Sequence, residues 1–331
     1  MLFPLDETAP PAPPALVGIA RFAAESRSLR TKAQVEYFEI ESRSLLNRCS
    51  NPNMPFRWTL NPYRGCEIGC KYCYARYTHE FMGLDDGVLF ERQIYAKADV
   101  AKLLRRDLAR KRSGAIALGT GTDPYQPAER RFERTKAILE VFAEVGGRDL
   151  SITTKSDLIV RDIELLRRVA SCNRLSINVT VTTVDPELAR RLEPRAPRPD
   201  LRLAAVRRLA DAGLAVGVFA NPVMPGITGS RASLSALAAA ARQAGATYFG
   251  GGILFLKTSA QQQFFPFLEE EFPELVAAYR VEYGGNAYLR GEYADALRER
   301  IRQVRAEHGL ESSPPLGGPP PPNHAQLSLF D

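Results

Sequence analysis

The pattern that most constrains the fold is a repeat of short apolar runs, each followed by a longer amphipathic stretch, from about residue 56 onward. This alternation predicts βα units that build a parallel sheet. The candidate strands cover residues 57–60, 115–118, 150–153, 175–181, 215–220 and 248–256. The candidate helices cover residues 129–145, 159–170, 201–212, 230–244, 271–279 and 293–308. Such repeats suit a partial barrel or a doubly wound open sheet, and periodicity alone does not distinguish them.

The regions outside this repeat differ from it in composition. Residues 1–15 are rich in proline and are predicted to form a disordered arm, and residues 16–55 form an N-terminal extension. After the predicted barrel at residues 56–260, a helical extension covers 261–310 and a proline-rich linker covers 311–325. Apolar character returns in a short tail at residues 326–331.

Composition narrows the class of protein. The chain has no run of about 18 apolar residues and no secretory signal at its start, which predicts a cytoplasmic protein with no membrane partner. A formal net charge of +6 favours a polyanionic partner without requiring one. Three of the 5 cysteines fall within one short loop, which indicates metal or cluster chemistry rather than a disulfide framework.

The cysteine loop follows the first predicted strand. Cys66, Cys70 and Cys73 have the spacing C-x3-C-x2-C. Three thiolates on so short a loop can reach three corners of one cubane cluster. Because a metal site that keeps an open coordination position is generally catalytic, the missing fourth cysteine favours a catalytic 4Fe-4S cluster.

Other ligand sets remain open at this point. His79 lies close enough to Cys73 in sequence to complete a zinc site. A four-cysteine electron-transfer cluster would need Cys49 or Cys172, and each of these is predicted to be an ordinary buried thiol. If neither alternative holds, His79 and Arg76 are expected to support the cluster without binding it.

The cysteine spacing, with Tyr72 between the last two cysteines, resembles the radical S-adenosylmethionine superfamily. More narrowly, the residues around the loop (61–66 and 74–76) and the segment 122–127 resemble the spore photoproduct lyase-like group, over about residues 40 to 260. The resemblance implies an α/β fold, a partial (β/α)6 TIM-type barrel with N- and C-terminal extensions. It also implies that S-adenosylmethionine binds the open iron, and that an electron from a reductant such as flavodoxin or ferredoxin releases a 5′-deoxyadenosyl radical.

The resemblance further implies a set of cofactor contacts. Lys155 matches a lysine that approaches the methionyl carboxylate, and Ser176 matches a strand-four serine near the amino-acid or ribose part of the cofactor. Thr122 and Asp123 lie at the end of the second strand, where the superfamily contacts the amino group of the cofactor. Arg195 would contact the cofactor or a substrate phosphate.

Each of these residues also has a structural interpretation. Lys155 could face solvent, Ser176 could be a core serine bonded to the backbone, and Asp123 could begin a turn. Glu193 and Asn221, which follow the fourth and fifth strands, could point into the barrel mouth. A solvated basic stretch is an equal alternative for Arg191, Arg195 and Arg198.

One departure from the group concerns the hydrogen-atom donor. The best-known member carries a cysteine donor close to its second strand end, whereas residues 119–123 of this chain contain no cysteine. Lesion repair by that donor route is therefore not expected, and a different substrate is predicted.

The C-terminal tail gives a separate indication of the substrate. Gln326–Phe330 resembles the peptide by which bacterial DNA polymerases and repair proteins bind the sliding clamp of DNA polymerase III. The leading hypothesis is therefore a radical enzyme that acts on DNA. Two alternatives stay open: radical modification of tRNA or protein, and a clamp-associated adaptor with a structural cluster or zinc ion. The tail could also fold back on the barrel.

Overall fold

The computed structural model describes residues 16–32, 34–110 and 113–314. The predicted arm, most of the predicted linker and the clamp-like tail lie outside these residues. The strands are β1 (Arg27–Lys32), β2 (Val35–Ile40), β3 (Leu46–Arg48), β4 (Trp58–Leu60), β5 (Tyr63–Arg64), β6 (Gln93–Lys97), β7 (Ile116–Leu118), β8 (Asp149–Thr154), β9 (Arg174–Thr180), β10 (Val216–Phe219) and β11 (Tyr248–Gly250).

Helices alternate with most of these strands. They are α1 (Gly18–Ala24), α2 (Tyr77–Glu80), α3 (Leu89–Arg92), α4 (Val100–Arg110), α5 (Glu129–Phe132), α6 (Arg134–Val145), α7 (Ile163–Cys172), α8 (Pro186–Leu192), α9 (Pro199–Asp211), α10 (Arg231–Gln243), α11 (Thr258–Glu271), α12 (Val276–Tyr283) and α13 (Gly291–Glu307). Among the described residues, no helix combines the length and apolar character needed to cross a membrane.

The larger sheet settles the topology that periodicity left open. Its strand order is β11-β10-β9-β8-β7-β4-β3. Neighbouring strands in this order pair in parallel, except for β3 with β4. Each new parallel strand is added next to the previous one, as in a TIM-type barrel, whereas a doubly wound sheet reverses direction at a switch point. The predicted partial (β/α)6 barrel is therefore confirmed, with β3 added antiparallel to β4 at one edge.

The main core lies between this sheet and its helices. Ile152 of β8 and Ile177 of β9 are fully buried and pack with Phe142 of α6. The alternate residues of β8 are only partly buried, which is the period-2 pattern of a strand with two different faces. On the inner face, the Asn178 amide donates to the Ser151 hydroxyl at 2.9 Å. The core thus fixes the strands whose carboxyl ends carry the candidate site.

Local structure departs from the sequence predictions where the backbone changes conformation. The predicted helix 129–145 divides at Glu133, whose φ is 49°, into α5 and α6. The predicted strand 248–256 keeps regular pairing only to Gly250, before two more glycines. The predicted helix 159–170 begins as a 3-10 turn, Asp157–Asp162. Helix α11 was not predicted to begin inside the barrel region, and Pro266 lies in its interior.

A second sheet, which the sequence did not predict, supports the cysteine loop. Its order is β1-β2-β6-β5, with β2 and β6 parallel. Strand β5 ends at Arg64, two residues before Cys66, and pairs with β6. The sheet therefore anchors the loop on the side away from the main core.

Candidate active site

The cysteine loop brings three free thiols together at the carboxyl end of β4. Cys66 and Cys70 are buried and Cys73 is half-buried. Burial raises the pKa of Cys66 well above its ordinary value, raises that of Cys70 to about 12, and raises that of Cys73. Thiolates in this place need nearby positive charge, which iron supplies. The donor set therefore fits an iron–sulfur cluster.

The start of the loop is held by a tight turn and a buried amide. Gly65 has φ 77°, and a Cβ at this position would lie 2.5 Å from the Gln93 carbonyl oxygen and 2.9 Å from that of Phe90. Only glycine fits here without displacing β6 or α3. Gln126, which is fully buried, donates to the Gly65 carbonyl at 3.1 Å and accepts from the Glu67 amide at 3.0 Å. The segment after β7 therefore holds the start of the cysteine loop through the two hydrogen bonds of Gln126.

Two arginines and one carboxylate hold the other end of the loop. The Arg76 side chain is 1% exposed and donates from Nη2 to the Cys70 carbonyl at 2.9 Å. It also pairs with Glu91, and the second oxygen of Glu91 pairs with Arg195. Arg195 therefore lies against the loop near Gly69 instead of being a free surface charge. Its predicted cofactor contact stays a prediction.

The loop after β7 is ordered by Asn61 and Asp123. Asn61 Oδ1 accepts from the Gly121 amide at 2.8 Å and from the Thr122 amide at 3.3 Å. Asp123 accepts from the Thr154 hydroxyl and the Lys155 amide, both at 2.6 Å, and from its own turn. Asp123 therefore begins the turn before Pro124, and its predicted cofactor contact stays a prediction.

Lys155 lies over the aromatic residue of the cysteine motif. Its Nζ is 5.7 Å from the centroid of the Tyr72 ring, and its side chain is half-buried instead of free in solvent. Burial lowers the pKa of Lys155, but the neighbouring Cys70 and Glu193 outweigh burial and the net shift is upward. The ammonium group therefore stays charged beside the loop.

A buried ion pair lies beneath Tyr72. The side chains of Glu193 and Arg202 are 0% and 1% exposed, and Glu193 Oε2 is 2.5 Å from Arg202 Nη2. The other Glu193 oxygen accepts from the Tyr72 hydroxyl and from Thr182 Oγ1. Glu193 was expected to be able to point into the barrel mouth. Instead, it accepts the hydrogen bond of the Tyr72 hydroxyl and thereby holds this ring in place.

Two other predicted residues lie away from this group. Ser176 is the third residue of β9 and pairs with Ser151, several residues before the carboxyl end of the strand. The structure does not bring it to Lys155 or Asp123, so its cofactor contact stays a prediction. Asn221 accepts from the Gly252 amide at 2.5 Å and thereby ties the end of β10 to the chain after β11.

The remaining candidate ligands have other partners. His79 is fully buried with Nε2 3.1 Å from the Gln93 carbonyl oxygen, and burial lowers its pKa to about 4. Among residues 16–32, 34–110 and 113–314, no three His, Cys, Asp or Glu side chains converge as one ion requires. A cubane spreads its thiolates over different iron atoms. Cys49 and Cys172 are half-buried, which corrects the expectation of buried thiols.

Comparison with known proteins assigns the family. The sequence profile of the Radical SAM superfamily matches residues 60–237, which is more than half of the chain. The chain belongs to the radical SAM superfamily. It is therefore an enzyme that uses S-adenosylmethionine and an iron–sulfur cluster, as the cysteine spacing predicted.

Two relatives align with most of the chain. An uncharacterised protein of Mycobacterium tuberculosis strain H37Rv is 39% identical over 282 residues, which cover 83% of this chain and 82% of that protein. An uncharacterised protein of Methanocaldococcus jannaschii is 24% identical over 271 residues, with coverages of 82% and 95%. The similarity therefore extends well beyond the residues that the superfamily profile matches.

Solved structures give the same fold. A spore photoproduct lyase mutant with bound AdoMet and dinucleoside spore photoproduct matches with a TM-score of 0.60 and 16% identity, over 83% of this chain and 81% of that chain. A second mutant of that enzyme matches with a TM-score of 0.63 and 15% identity over the same shares. At 15 to 16% identity, this structural similarity establishes the fold alone.

Sequence reasoning missed the residues that position the site. Asn61 and Gln126 lie inside the segments that carry the family resemblance, so their position was a usable signal. Glu193, at the end of α8, was a sequence candidate, but its pairing with Arg202 has no local signature. Glu91 lies outside every motif and joins the site only through the fold.

Proposed function

We propose that Cys66, Cys70 and Cys73 each bind one iron of a 4Fe-4S cluster, and that the chain uses this cluster in a reaction on DNA. The observation that carries the proposal is the burial of free thiols on one loop at the carboxyl ends of the parallel strands. When bound, the cluster and S-adenosylmethionine supply one-electron cleavage of a carbon–sulfur bond and a 5′-deoxyadenosyl radical.

The residues around the loop would bind and orient the cofactor. Lys155 carries a positive charge beside Tyr72 and suits the methionyl carboxylate, since an ammonium–carboxylate hydrogen bond is charge-assisted. A carboxylate can accept about four hydrogen bonds, and Asp123 already accepts three. One acceptor position is left for the amino group of the cofactor, next to Thr122. Arg195 is the candidate for a more distant phosphate.

Three observations support DNA as the substrate. The net charge of +6 suits a polyanion. The fold is similar to that of spore photoproduct lyase, which has been solved with dinucleoside spore photoproduct. The tail Gln326–Phe330, outside the described residues, resembles a sliding-clamp peptide and would deliver the enzyme to DNA in the cytoplasm. A base within a duplex would have to be extruded to reach the barrel mouth.

Anaerobic reconstitution tests the initiating chemistry. The full chain should show a 4Fe-4S absorption and electron paramagnetic resonance spectrum, and should release 5′-deoxyadenosine when a flavodoxin or ferredoxin system supplies electrons. The Cys70→Ala variant should lose both signals, whereas Cys172→Ala, which removes a thiol outside the loop, should keep them. A protein that binds zinc and no iron refutes the proposal.

A comparison of nucleosides tests the substrate. Hydrolysed DNA and tRNA from a deletion strain and from its parent should differ in a DNA nucleoside. A difference confined to tRNA nucleosides contradicts the DNA assignment and leaves the initiating chemistry intact. Because residues 119–123 carry no donor thiol, the product is expected to differ from that of the donor-cysteine route.

A further inference from the structure

A cleft beside the cysteine loop is not used by any of the groups assigned above. Its volume is about 550 Å³. Residues from α2, from the start of α11 and from the loop at 284–287 line it. Helix α2 follows Cys73 after a single 3-10 turn, so one wall of the cleft continues directly from the cysteine loop.

The amino end of α11 opens into this cleft. Gln261 is the first residue whose amide bonds within the helix, to the Lys257 carbonyl at 2.8 Å. No side chain caps the helix, and in the described part of the chain the amides of Thr258, Ser259 and Ala260 have no acceptor. Free amides at the positive end of a 14-residue helix attract an anion.

A buried hydroxyl supplies an independent indication of a ligand. Ser259 is 6% exposed, lines the cleft, and its hydroxyl has no partner among residues 16–32, 34–110 and 113–314. Ser259 is the second residue of α11, so it lies among the free amides at the end of the helix that lines the cleft. A buried hydroxyl without a partner costs free energy that a bound acceptor would recover.

The charges around the cleft also suit an anion. Lys257 is exposed, and its Nζ lies 3.9 Å from the centroid of the Tyr77 ring, which holds the ammonium group at the rim. Glu80 is the acidic residue in the lining, and it is exposed to solvent. The cation and the helix end therefore both face the cleft, while the carboxylate is screened by water.

A strip of aromatic rings connects the cleft to the cysteine loop. Phe255 and Tyr288 face each other across an antiparallel bridge, with ring centroids 4.4 Å apart. Tyr74, the residue after Cys73, lies 5.8 Å from Phe255. Tyr288 is 54% exposed and Tyr74 is 39% exposed. Exposed rings next to a cationic site are the arrangement used for single-stranded nucleic acid, because every base can stack on an aromatic face.

We propose that the cleft binds one backbone phosphate of a single DNA strand, and that Tyr288 stacks a neighbouring base on the path to the cysteine loop. This inference rests on the proposed DNA function and adds the subsite that holds the strand. The phosphate accepts hydrogen bonds from the amides of α11 and from Ser259, and it pairs with Lys257.

Fluorescence anisotropy with a labelled 12-nucleotide single DNA strand and the reconstituted full chain tests the subsite. Lys257→Ala should reduce the slope of log Kd against log salt by about 1. Ser259→Ala should weaken binding about 5-fold, the value of one net hydrogen bond. Tyr288→Ala should weaken binding at least about 5-fold, and Tyr288→Phe should keep stacking. The matched control Lys136→Ala should bind as the wild type does.

The wild-type chain gives a measurement that does not depend on the folding of any variant. Inorganic phosphate should displace the DNA strand more strongly than chloride at equal ionic strength. If the wild type binds DNA but Lys257→Ala and Ser259→Ala leave its affinity and salt slope unchanged, the subsite is refuted and the DNA function stands. If the wild type binds no DNA while it still releases 5′-deoxyadenosine, the proposed DNA function itself fails.

Discussion

Replacement of Arg202 by methionine tests the ion pair beneath the cysteine loop. The side chains of Arg202 and Glu193 are 1% and 0% exposed, and their charged atoms are 2.5 Å apart. Methionine fills much of the volume of arginine but removes its charge, so Glu193 would remain as a buried carboxylate without its cation. Removing one partner of such a pair costs about 3 to 5 kcal/mol, out of about 5 to 15 kcal/mol for a typical domain.

Urea unfolding of the anaerobic protein, followed by circular dichroism, measures this loss. Arg198→Met is the matched control, because Arg198 and Asp200 form an ion pair at 2.7 Å with side chains 65% and 59% exposed. Such an exposed pair contributes little to stability, because water screens its two charges. If Arg202→Met loses no more free energy of unfolding than Arg198→Met, the reasoning about burial is wrong.

The same pair gives stability a predictable pH dependence. Burial raises the pKa of Glu193, but Arg202, Lys155 and the hydrogen bonds from Thr182 and Tyr72 outweigh burial, so the pKa lies below its ordinary value of 4.5. A carboxyl group with a depressed folded pKa stabilises the fold above its unfolded pKa, and this stability is lost as the pH falls through the folded pKa. Glu193→Gln should therefore reduce the dependence of unfolding free energy on pH below about 4.5.

Three further substitutions test the loop, the cofactor contacts and the tail. Gly65→Ala should lower the free energy of unfolding in urea by about 3 kcal/mol, and Gly213→Ala should lower it by about 1 kcal/mol. Both glycines have φ near 76°, but only at Gly65 would an added Cβ contact backbone atoms. Equal losses for the two variants would contradict this reasoning. Asn61→Ala should raise the KM for S-adenosylmethionine about 10-fold in 5′-deoxyadenosine assays, and an unchanged KM would exclude its positioning role. Phe330→Ala should abolish co-elution with purified sliding clamp and leave 5′-deoxyadenosine release unchanged, so clamp binding that survives would refute the peptide.

The features that were predictable from sequence are those encoded locally. Six strands and the cysteine loop appear as runs or spacings within a few residues, and their existence was confirmed even where their bounds shifted. The second sheet was not predictable, because β5 has only two residues and becomes a strand by pairing with β6. The ion pair between Glu193 and Arg202 was not predictable for a related reason, since charged residues are normally solvated and only the fold buries these two.

The residues that hold the cysteine loop differ from the residues proposed to contact the substrate, a distinction that the sequence did not give. The cysteine loop is held on several sides by buried polar contacts, from Gln126, from Arg76 with Glu91, and from Tyr72 with Glu193. Such contacts leave little freedom to the loop, which suits chemistry that the whole superfamily shares. Lys257 and Tyr288, at the rim of the proposed strand-binding cleft, are exposed and make none of these buried polar contacts. Substrate choice is therefore expected to lie in the rim, and this is why the cysteine motif alone identifies the initiating reaction and leaves its target undetermined.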